Sequence, residues 1–148
     1  VIGKHAAKLE LAAAAGVSTR TIDPADSLDT QIEVITGSRD AGFDIVVEAS
    51  GSSSGLSLGL RLVKPRGTVV LKSTHQGPSE IVMSQVVVNE LTIVGSRCGR
   101  FARAISLLDG GSIDVLGLVT ASIPMDDWPR AFSLAADHSS LKVVLSVA

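Results

Sequence analysis

The chain has 148 residues, which is enough for one domain with a buried hydrophobic core. Hydrophobic residues make up 45% of the sequence and charged residues 19%, and the net charge of −2 without a basic stripe argues against a nucleic-acid partner. No apolar stretch approaches the ~18 residues of a membrane helix, and a single Cys excludes an internal disulfide and a cysteine-cluster metal site, so we expect a soluble cytoplasmic protein without a membrane partner.

Short apolar segments alternate with helical patterns in the first third of the chain. Glycines at positions 16 and 37 end the two helical patterns, as expected where a helix closes with a left-handed residue. In chain order the sequence predicts a strand at Val1–Ile2, a helix at Ala6–Ala15, a strand at Ser18–Ile22, a helix at Ser27–Thr36 and a strand at Phe43–Ser50.

The same alternation continues to the end of the chain. A looser stretch before residue 90 carries no predicted element. The remaining predicted elements are a helix capped by Ser52 or Ser53, a turn at Lys64–Gly67, strands at Thr68–Ser73 and Leu91–Ser96, a helix at Arg100–Leu108, a strand at Leu118–Ile123, a helix from Asp126 or Asp127 to Ala136, and a strand at Leu141–Val147.

This alternation predicts an α/β fold with a doubly wound parallel sheet and right-handed crossovers. Ligands of such sheets bind beyond the carboxyl ends of the strands. The sequence therefore directs attention to four short segments that follow predicted strands, namely Gly3–His5, Ala49–Ser52, Lys72–His75 and Gly95–Gly99.

The segment GSSSG at Gly51–Gly55 matches the G-x-S-x-G pattern of hydrolases, with Ser53 as the nucleophile. The sequence also offers later acids and a histidine in the appropriate chain order at Asp114, Asp126, Asp127 and His138. The same residues suit an ordinary turn in which glycine adopts a positive φ and a serine caps the following helix. We favour the turn, because the chain has no HGG-like segment to form an oxyanion hole.

A second interpretation comes from FDIVVEAS followed at one helix's distance by LVKPRGTVVL. Methyltransferases that use S-adenosylmethionine carry a similar strand and turn. A parallel strand–helix–turn–strand unit selects the same residue types in many folds, so the pattern does not fix the function. The methyltransferase-like domain therefore stays open as an alternative.

The first turn, VIGKH, suits the end of the second strand of a dinucleotide-binding sheet. An acidic residue there binds the ribose hydroxyls of NAD, whereas a small residue followed by a cation leaves room and charge for a 2′-phosphate. Gly3, Lys4 and His5 fit the second arrangement, which favours NADP over NAD.

Four stretches in order resemble the medium-chain dehydrogenase/reductase family, the zinc-dependent alcohol dehydrogenase-like proteins. They are VIGKHAAKLELAAAAGV, FDIVVEASGSSSGLSLGLRLVKPRGTVVL, NELTIVGSRCGRFARAISLLDGG and SIPMDDWPRAFSLAADHSSLKVVLSV. The resemblance implies an NAD(P)-dependent oxidoreductase that transfers a hydride between an alcohol and a carbonyl compound. Its fold would be a Rossmann-like parallel sheet, here lacking the first strand and the glycine-rich turn.

The resemblance also implies a set of cofactor-binding residues. Gly3, Lys4 and His5 would flank the adenosine ribose, and Ser50 and Gly51 would line the adenine side. The remaining implied contacts are Ser73 and Thr74 near the nicotinamide ribose, the backbone of Ser96, Arg97 and Cys98 at the carboxamide, and Lys142 at the pyrophosphate.

By the same resemblance, residues 1–97 form a partial NAD(P)-binding domain, and residues 98–148 form a segment that returns to a catalytic domain. We expect zinc only in that missing domain and no catalytic residue in this chain, so that the chain alone is inactive. The unpaired sheet edges would favour a homo-oligomer or a rearranged sheet. A non-catalytic nucleotide-binding or assembly module is the further alternative.

Overall fold

The computed structural model describes residues 1–38, 41–75, 77–137 and 139–147, and within them it is an α/β structure whose strands pair in parallel. The predicted fold class is confirmed. In chain order the elements are β1 (Ile2–Gly3), α1 (Ala6–Ala14), β2 (Arg20–Thr21), α2 (Leu28–Thr36), β3 (Phe43–Glu48), α3 (Ser53–Leu62), β4 (Val63–Leu71), α4 (Met83–Val88), β5 (Thr92–Gly95), α5 (Phe101–Asp109), β6 (Val119–Pro124), α6 (Trp128–Ala135) and β7 (Lys142–Ser146).

The chain divides into two compact units, residues 1–98 and residues 99–148. In the first unit, β1 pairs with β2, and β3, β4 and β5 form a second sheet in that order. Among the described residues β1 has no partner besides β2 and β3 has none besides β4, so each of these strands keeps one unpaired edge. The strands of the first unit thus form two separate sheets where the sequence analysis expected one interrupted sheet.

Local signals explain where the central helices begin and end. The Ser27 hydroxyl accepts a hydrogen bond from the Thr30 amide at 3.2 Å and so caps α2, which ends at Gly37 with a φ of 75°. The Ser52 hydroxyl caps α3 in the same way, accepting from the Gly55 amide at 3.1 Å. The predicted end of α2 at Gly37 is confirmed, and of the two predicted caps of α3 the structure shows Ser52.

The predicted turn at Lys64–Gly67 is part of β4. The pairing of β3 with β4 shifts from Phe43 opposite Val63 to Ile45 opposite Thr68, so the intervening residues bulge out of the ladder. Arg66 adopts a φ of 65°, and its amide donates to the Asn89 carbonyl at 2.7 Å. The residues predicted as a turn therefore form a bulge inside a strand.

Helix α4 lies in the stretch for which the sequence predicted no element. Its residues are rich in valine, a residue type that favours strands. The side-chain amide of Gln85 donates to the Leu60 carbonyl at 2.9 Å and so ties α4 to the end of α3. Tertiary contact rather than local propensity accounts for this helix.

Helices α2 and α3 cover one face of β3 and β4. Val46 of β3 packs against both buried clusters of this core, which consist of Ile32, Ile35, Leu58 and Leu62 on one side and Leu56, Leu60, Val63 and Val69 on the other. The opposite face of β3 is open, since Ile45 is 64% exposed and Val47 58% exposed. The core of the first unit is thus one-sided at β3.

The second unit is a parallel β6–β7 pair connected by α6. Ile123 of β6 and Ala131 of α6 are buried, and the Trp128 and Phe132 rings meet edge to face with their centroids 5.9 Å apart. Among the described residues, no helix is both long enough and apolar enough to cross a membrane.

We expect Leu62→Ala to destabilise the first unit by about 2–5 kcal/mol, because Leu62 is 2% exposed and its removal leaves a cavity among close-packed side chains. The matched control is Leu116→Ala, since Leu116 is 79% exposed and the same truncation there removes little buried area. Urea unfolding followed by circular dichroism measures both changes. Equal stabilities for the two variants would contradict the assignment of the core.

Candidate functional site

The carboxyl ends of β3, β4 and β5 lie level with one another. Glu48 pairs with Leu71, and Leu71 pairs with Gly95. The Lys72 amide donates to the Glu48 carbonyl at 2.8 Å, and the Ser96 amide donates to the Leu71 carbonyl at 2.9 Å. The three loops that follow these strands therefore leave the sheet at one edge, where open parallel sheets bind their ligands.

Hydrogen bonds join the loop after β3 to the buried carboxylate of Glu48 and to the loop after β4. Glu48 is 7% exposed, and its Oε1 atom accepts hydrogen bonds from the Ser50 amide at 2.7 Å and from the Ser50 hydroxyl at 2.6 Å. Across the edge, the Gly51 amide donates to the Ser73 hydroxyl oxygen at 2.8 Å. The loop after β3 is thus bonded to its own strand and to the loop after β4.

Hydrogen bonding decides the charge of Glu48. Burial raises the pKa of its carboxyl group, but hydrogen bonds from the hydroxyl and amide of Ser50, the hydroxyl of Ser73 and the amide of Gly51 outweigh burial and hold the pKa below its ordinary value of 4.5. The group is therefore an ionised carboxylate at neutral pH.

The local backbone geometry explains both glycines of GSSSG. A Cβ atom at Gly55 would lie 1.9 Å from the Ser50 hydroxyl oxygen, so only glycine lets the first turn of α3 approach Ser50 this closely. Gly51 adopts a φ of 73°, in the left-handed region that favours glycine. The motif therefore serves the turn that the sequence analysis favoured.

Ser53, the candidate hydrolase nucleophile, lies at the start of α3. Its hydroxyl is 3.3 Å from His75 Nε2, and the other ring nitrogen of His75 is 3.2 Å from the Gly51 carbonyl oxygen. The imidazole thus faces a backbone carbonyl where a catalytic triad has a carboxylate. His138, the histidine considered for that triad, lies outside the described residues.

The predicted nicotinamide-side residues follow the neighbouring strands. Thr74 comes after β4, and Ser96, Arg97 and Cys98 come directly after β5, where all four are exposed. The Lys72 ammonium group donates to the Arg97 carbonyl oxygen and so joins the loops after β4 and β5. These residues line the same edge as the Glu48 group.

The predicted adenosine-side residues lie at the end of β1. Lys4 borders an open cleft of about 540 Å³ that is otherwise lined from β2, the loop after it and α2. His5 is exposed and precedes α1, where its carbonyl accepts from the Lys8 and Leu9 amides at 3.1 Å. The other residues of the cleft are Thr21, Ile22, Asp23, Pro24, Asp26, Gln31 and Val34.

Lys142, predicted at the pyrophosphate, lies on β7 of the second unit, where it borders an apolar groove with Val119 and Val144. A zinc ion does not fit the described residues, among which no three His, Cys, Asp or Glu side chains are grouped to hold a metal. We therefore derive no chemistry of this chain from a metal.

The structure brings three of the predicted residues together, namely Ser50, Gly51 and Ser73. The sequence analysis missed Glu48, to which Ser50 is hydrogen-bonded. An acidic residue directly after the apolar run Ile45–Val47 was the available signal, because a buried carboxylate needs hydrogen-bond donors nearby.

The family model described as zinc-binding dehydrogenase matches residues 1–110. The L-threonine 3-dehydrogenase of Bacillus velezensis is 29% identical over 150 aligned positions, which cover 97% of this chain and 42% of the relative. The D-arabinitol dehydrogenase 1 of Uromyces fabae is 29% identical over 108 positions, covering 70% of this chain and 31% of the relative. The chain thus spans less than half the length of these relatives.

Solved structures agree with the predicted Rossmann-like fold. A Sinorhizobium meliloti protein described as a zinc-binding dehydrogenase, solved with bound NADP, superposes with a TM-score of 0.84 at 27% identity and covers 99% of this chain and 44% of its own. An alcohol dehydrogenase from Thermus superposes with a TM-score of 0.82 at 26% identity, with coverage of 99% and 43%.

We expect the stability contribution of the Glu48 carboxylate to disappear in acid. Because its folded-state pKa is lowered below 4.5, the contribution is complete above about pH 5 and is lost as the pH falls through the folded-state pKa. The difference in unfolding free energy between wild type and Glu48→Gln, measured by urea unfolding, should therefore shrink as the pH falls from about 7 to about 3.

Glu10→Gln controls for the loss of one carboxyl group, since Glu10 is exposed on α1. A wild-type advantage over Glu48→Gln that stayed constant or grew in acid would contradict an ionised, hydrogen-bonded Glu48.

Proposed function

The chain belongs to the zinc-binding dehydrogenase family, and from that premise we propose that it forms the NAD(P)-binding part of an alcohol or polyol dehydrogenase. The observation that carries the proposal is the hydrogen bond between the loops after β3 and β4, which holds Gly51 against Ser73 at the carboxyl edge of a parallel sheet. Dinucleotides bind across this edge in Rossmann-like sheets.

The described residues are chemically suited to hold a dinucleotide. The cleft beside Lys4 lies at the end of β1, and the Gly51–Ser73 pair lies at the ends of β3 and β4. We assign the adenosine ribose to Gly3, Lys4 and His5, the adenine side to Ser50 and Gly51, and the nicotinamide ribose to Ser73, which is bonded to Gly51. The nicotinamide ring, when bound, supplies the hydride chemistry of the reaction.

The nicotinamide end is assigned to the exposed residues after β4 and β5. Thr74 would contact the nicotinamide ribose, and backbone groups of Ser96, Arg97 and Cys98 would bind the carboxamide. Lys72 supports this assignment because its bond to the Arg97 carbonyl fixes one loop against the other. Lys142 is proposed as the pyrophosphate ligand on the basis of the family resemblance alone.

We further propose that NADP is the preferred cofactor. Lys4 follows Gly3 at the end of β1 and borders the cleft, so a cation stands where NAD-binding sheets carry an acidic residue. A 2′-phosphate on the adenosine ribose would gain a charge-assisted hydrogen bond from this ammonium group.

We propose that other parts of a longer polypeptide supply the glycine-rich turn and the zinc-bearing catalytic domain. The relatives are more than twice as long as this chain, and the described residues do not group into a metal site. The open edge of β3 and its exposed Ile45 and Val47 suit coverage by a further strand and helix. Residues 98–148 are proposed to return to that catalytic domain.

We expect the complete encoded polypeptide to bind NADPH, and Lys4→Ala to weaken that binding about tenfold or more while changing NADH binding less than about twofold. The reason is that one hydrogen bond to a charged group contributes about 1.5–3 kcal/mol, and only NADPH carries the 2′-phosphate. Titration calorimetry with both cofactors measures the effect.

Lys8→Ala is the matched control, because Lys8 is an exposed lysine one turn into α1 and does not line the cleft. A polypeptide that bound neither cofactor would overturn the proposed function. Equal losses for NADPH and NADH in Lys4→Ala would remove the preference for NADP and leave the dinucleotide site in place.

A further inference from the structure

The burial of the Glu48 carboxylate is energetically unfavourable unless nearby groups compensate for it. Glu48 is the last residue of a strand, it is 7% exposed, and its side chain lies on the side of the sheet that packs against α3. A carboxylate loses hydration energy on burial, which its hydrogen bonds have to offset. Its short hydrogen bonds come from the amide and hydroxyl of Ser50, which lies in a loop that we assign to the cofactor.

The carboxylate fixes the direction of the surrounding hydroxyl groups. A serine hydroxyl has one proton to donate and lone pairs to accept. Ser50 donates its proton to Glu48 at 2.6 Å, so the contact of 3.0 Å between the Ser50 and Ser52 hydroxyl oxygens requires Ser52 to donate. Ser52 in turn accepts from the Gly55 amide, so the order runs from the first turn of α3 to the carboxylate.

The position of Ser50 also affects a contact across the edge of the sheet. Gly51 follows Ser50 directly, and its amide donates to the Ser73 hydroxyl oxygen at 2.8 Å. A neutral amide in place of the carboxylate keeps one acceptor oxygen but presents N–H groups in place of the other, and it accepts a weaker hydrogen bond from Ser50. Ser50 would then be held less firmly, and with it the Gly51 amide that faces Ser73.

We propose that Glu48 is a positioning residue of the dinucleotide site, whose carboxylate holds Ser50 and thereby sets the loop after β3, with its Gly51 amide bonded to Ser73, in its cofactor-binding geometry. This inference rests on the proposed function. It assigns no contact between Glu48 and the cofactor, because the buried carboxylate acts through Ser50.

The first test measures NADPH affinity of the complete encoded polypeptide by calorimetry. Glu48→Gln should weaken binding about tenfold, as expected when charge-assisted hydrogen bonds that order two loops are lost. Glu48→Asp, which keeps the charge on a shorter side chain, should recover part of that loss. Leu62→Ala, destabilised in the core away from the loops, should bind NADPH like the wild type when it is folded.

A double-mutant cycle tests whether Glu48 acts through Ser50. If it does, Ser50→Ala weakens NADPH binding in the wild type, but it has a much smaller effect in the Glu48→Gln background. Losses that simply multiply would show that the two residues act independently and would overturn the positioning role.

The second readout needs no cofactor. Amide hydrogen exchange of Gly51, followed by NMR, should be at least about tenfold faster in Glu48→Gln than in wild type or Glu10→Gln, because Ser50 no longer holds the neighbouring Gly51 amide against Ser73. Unchanged exchange together with unchanged NADPH affinity would overturn the positioning role and leave the proposed function standing. If Gly51 exchanges faster in Glu48→Gln but the wild type binds no dinucleotide, the proposed function would be overturned instead.

Discussion

Parallel pairing of β3 with β4 and of β4 with β5 is the constraint on which the rest of the first unit depends. It makes successive strands end at one edge, level at Glu48, Leu71 and Gly95. Loops that leave a sheet together have to satisfy their own polar groups and those of the strand ends. Here one buried carboxylate accepts hydrogen bonds from Ser50 in the first loop, and the amide of the next residue, Gly51, donates to Ser73 in the second loop.

This edge also connects the fold with the family to which the chain belongs. A dinucleotide is longer than any single loop, and it therefore needs several strand ends at the same level. The cleft beside Lys4 offers charge at the end of β1, and the Gly51–Ser73 pair offers a rigid surface at the ends of β3 and β4. The apolar face of β3 is exposed and the relatives are more than twice as long as this chain, which is why we propose that further elements of a longer polypeptide cover this face.

Much of the fold could be predicted because its signals are local. Ser27 and Gly37 delimit α2, and the run from Phe43 to Glu48 has the β-branched character of a buried strand. Helix α4 could not be predicted, since its valines favour strands and only its packing beside α3 makes it helical. The candidate site was predicted in part: chain order identified the loops, whereas the bond between Gly51 and Ser73 depends on the register between β3 and β4, which no local pattern encodes.

A crystal structure of the complete encoded polypeptide with NADP bound is the most direct test of this account. The account predicts that the dinucleotide lies along the carboxyl ends of β1, β3 and β4, with the 2′-phosphate beside Lys4. It also predicts that Glu48 remains buried beneath the cofactor and bonded to Ser50, with Gly51 still bonded to Ser73. A cofactor bound away from this edge, or a loop after β3 that separates from Glu48 or from Ser73 when the cofactor binds, would contradict it.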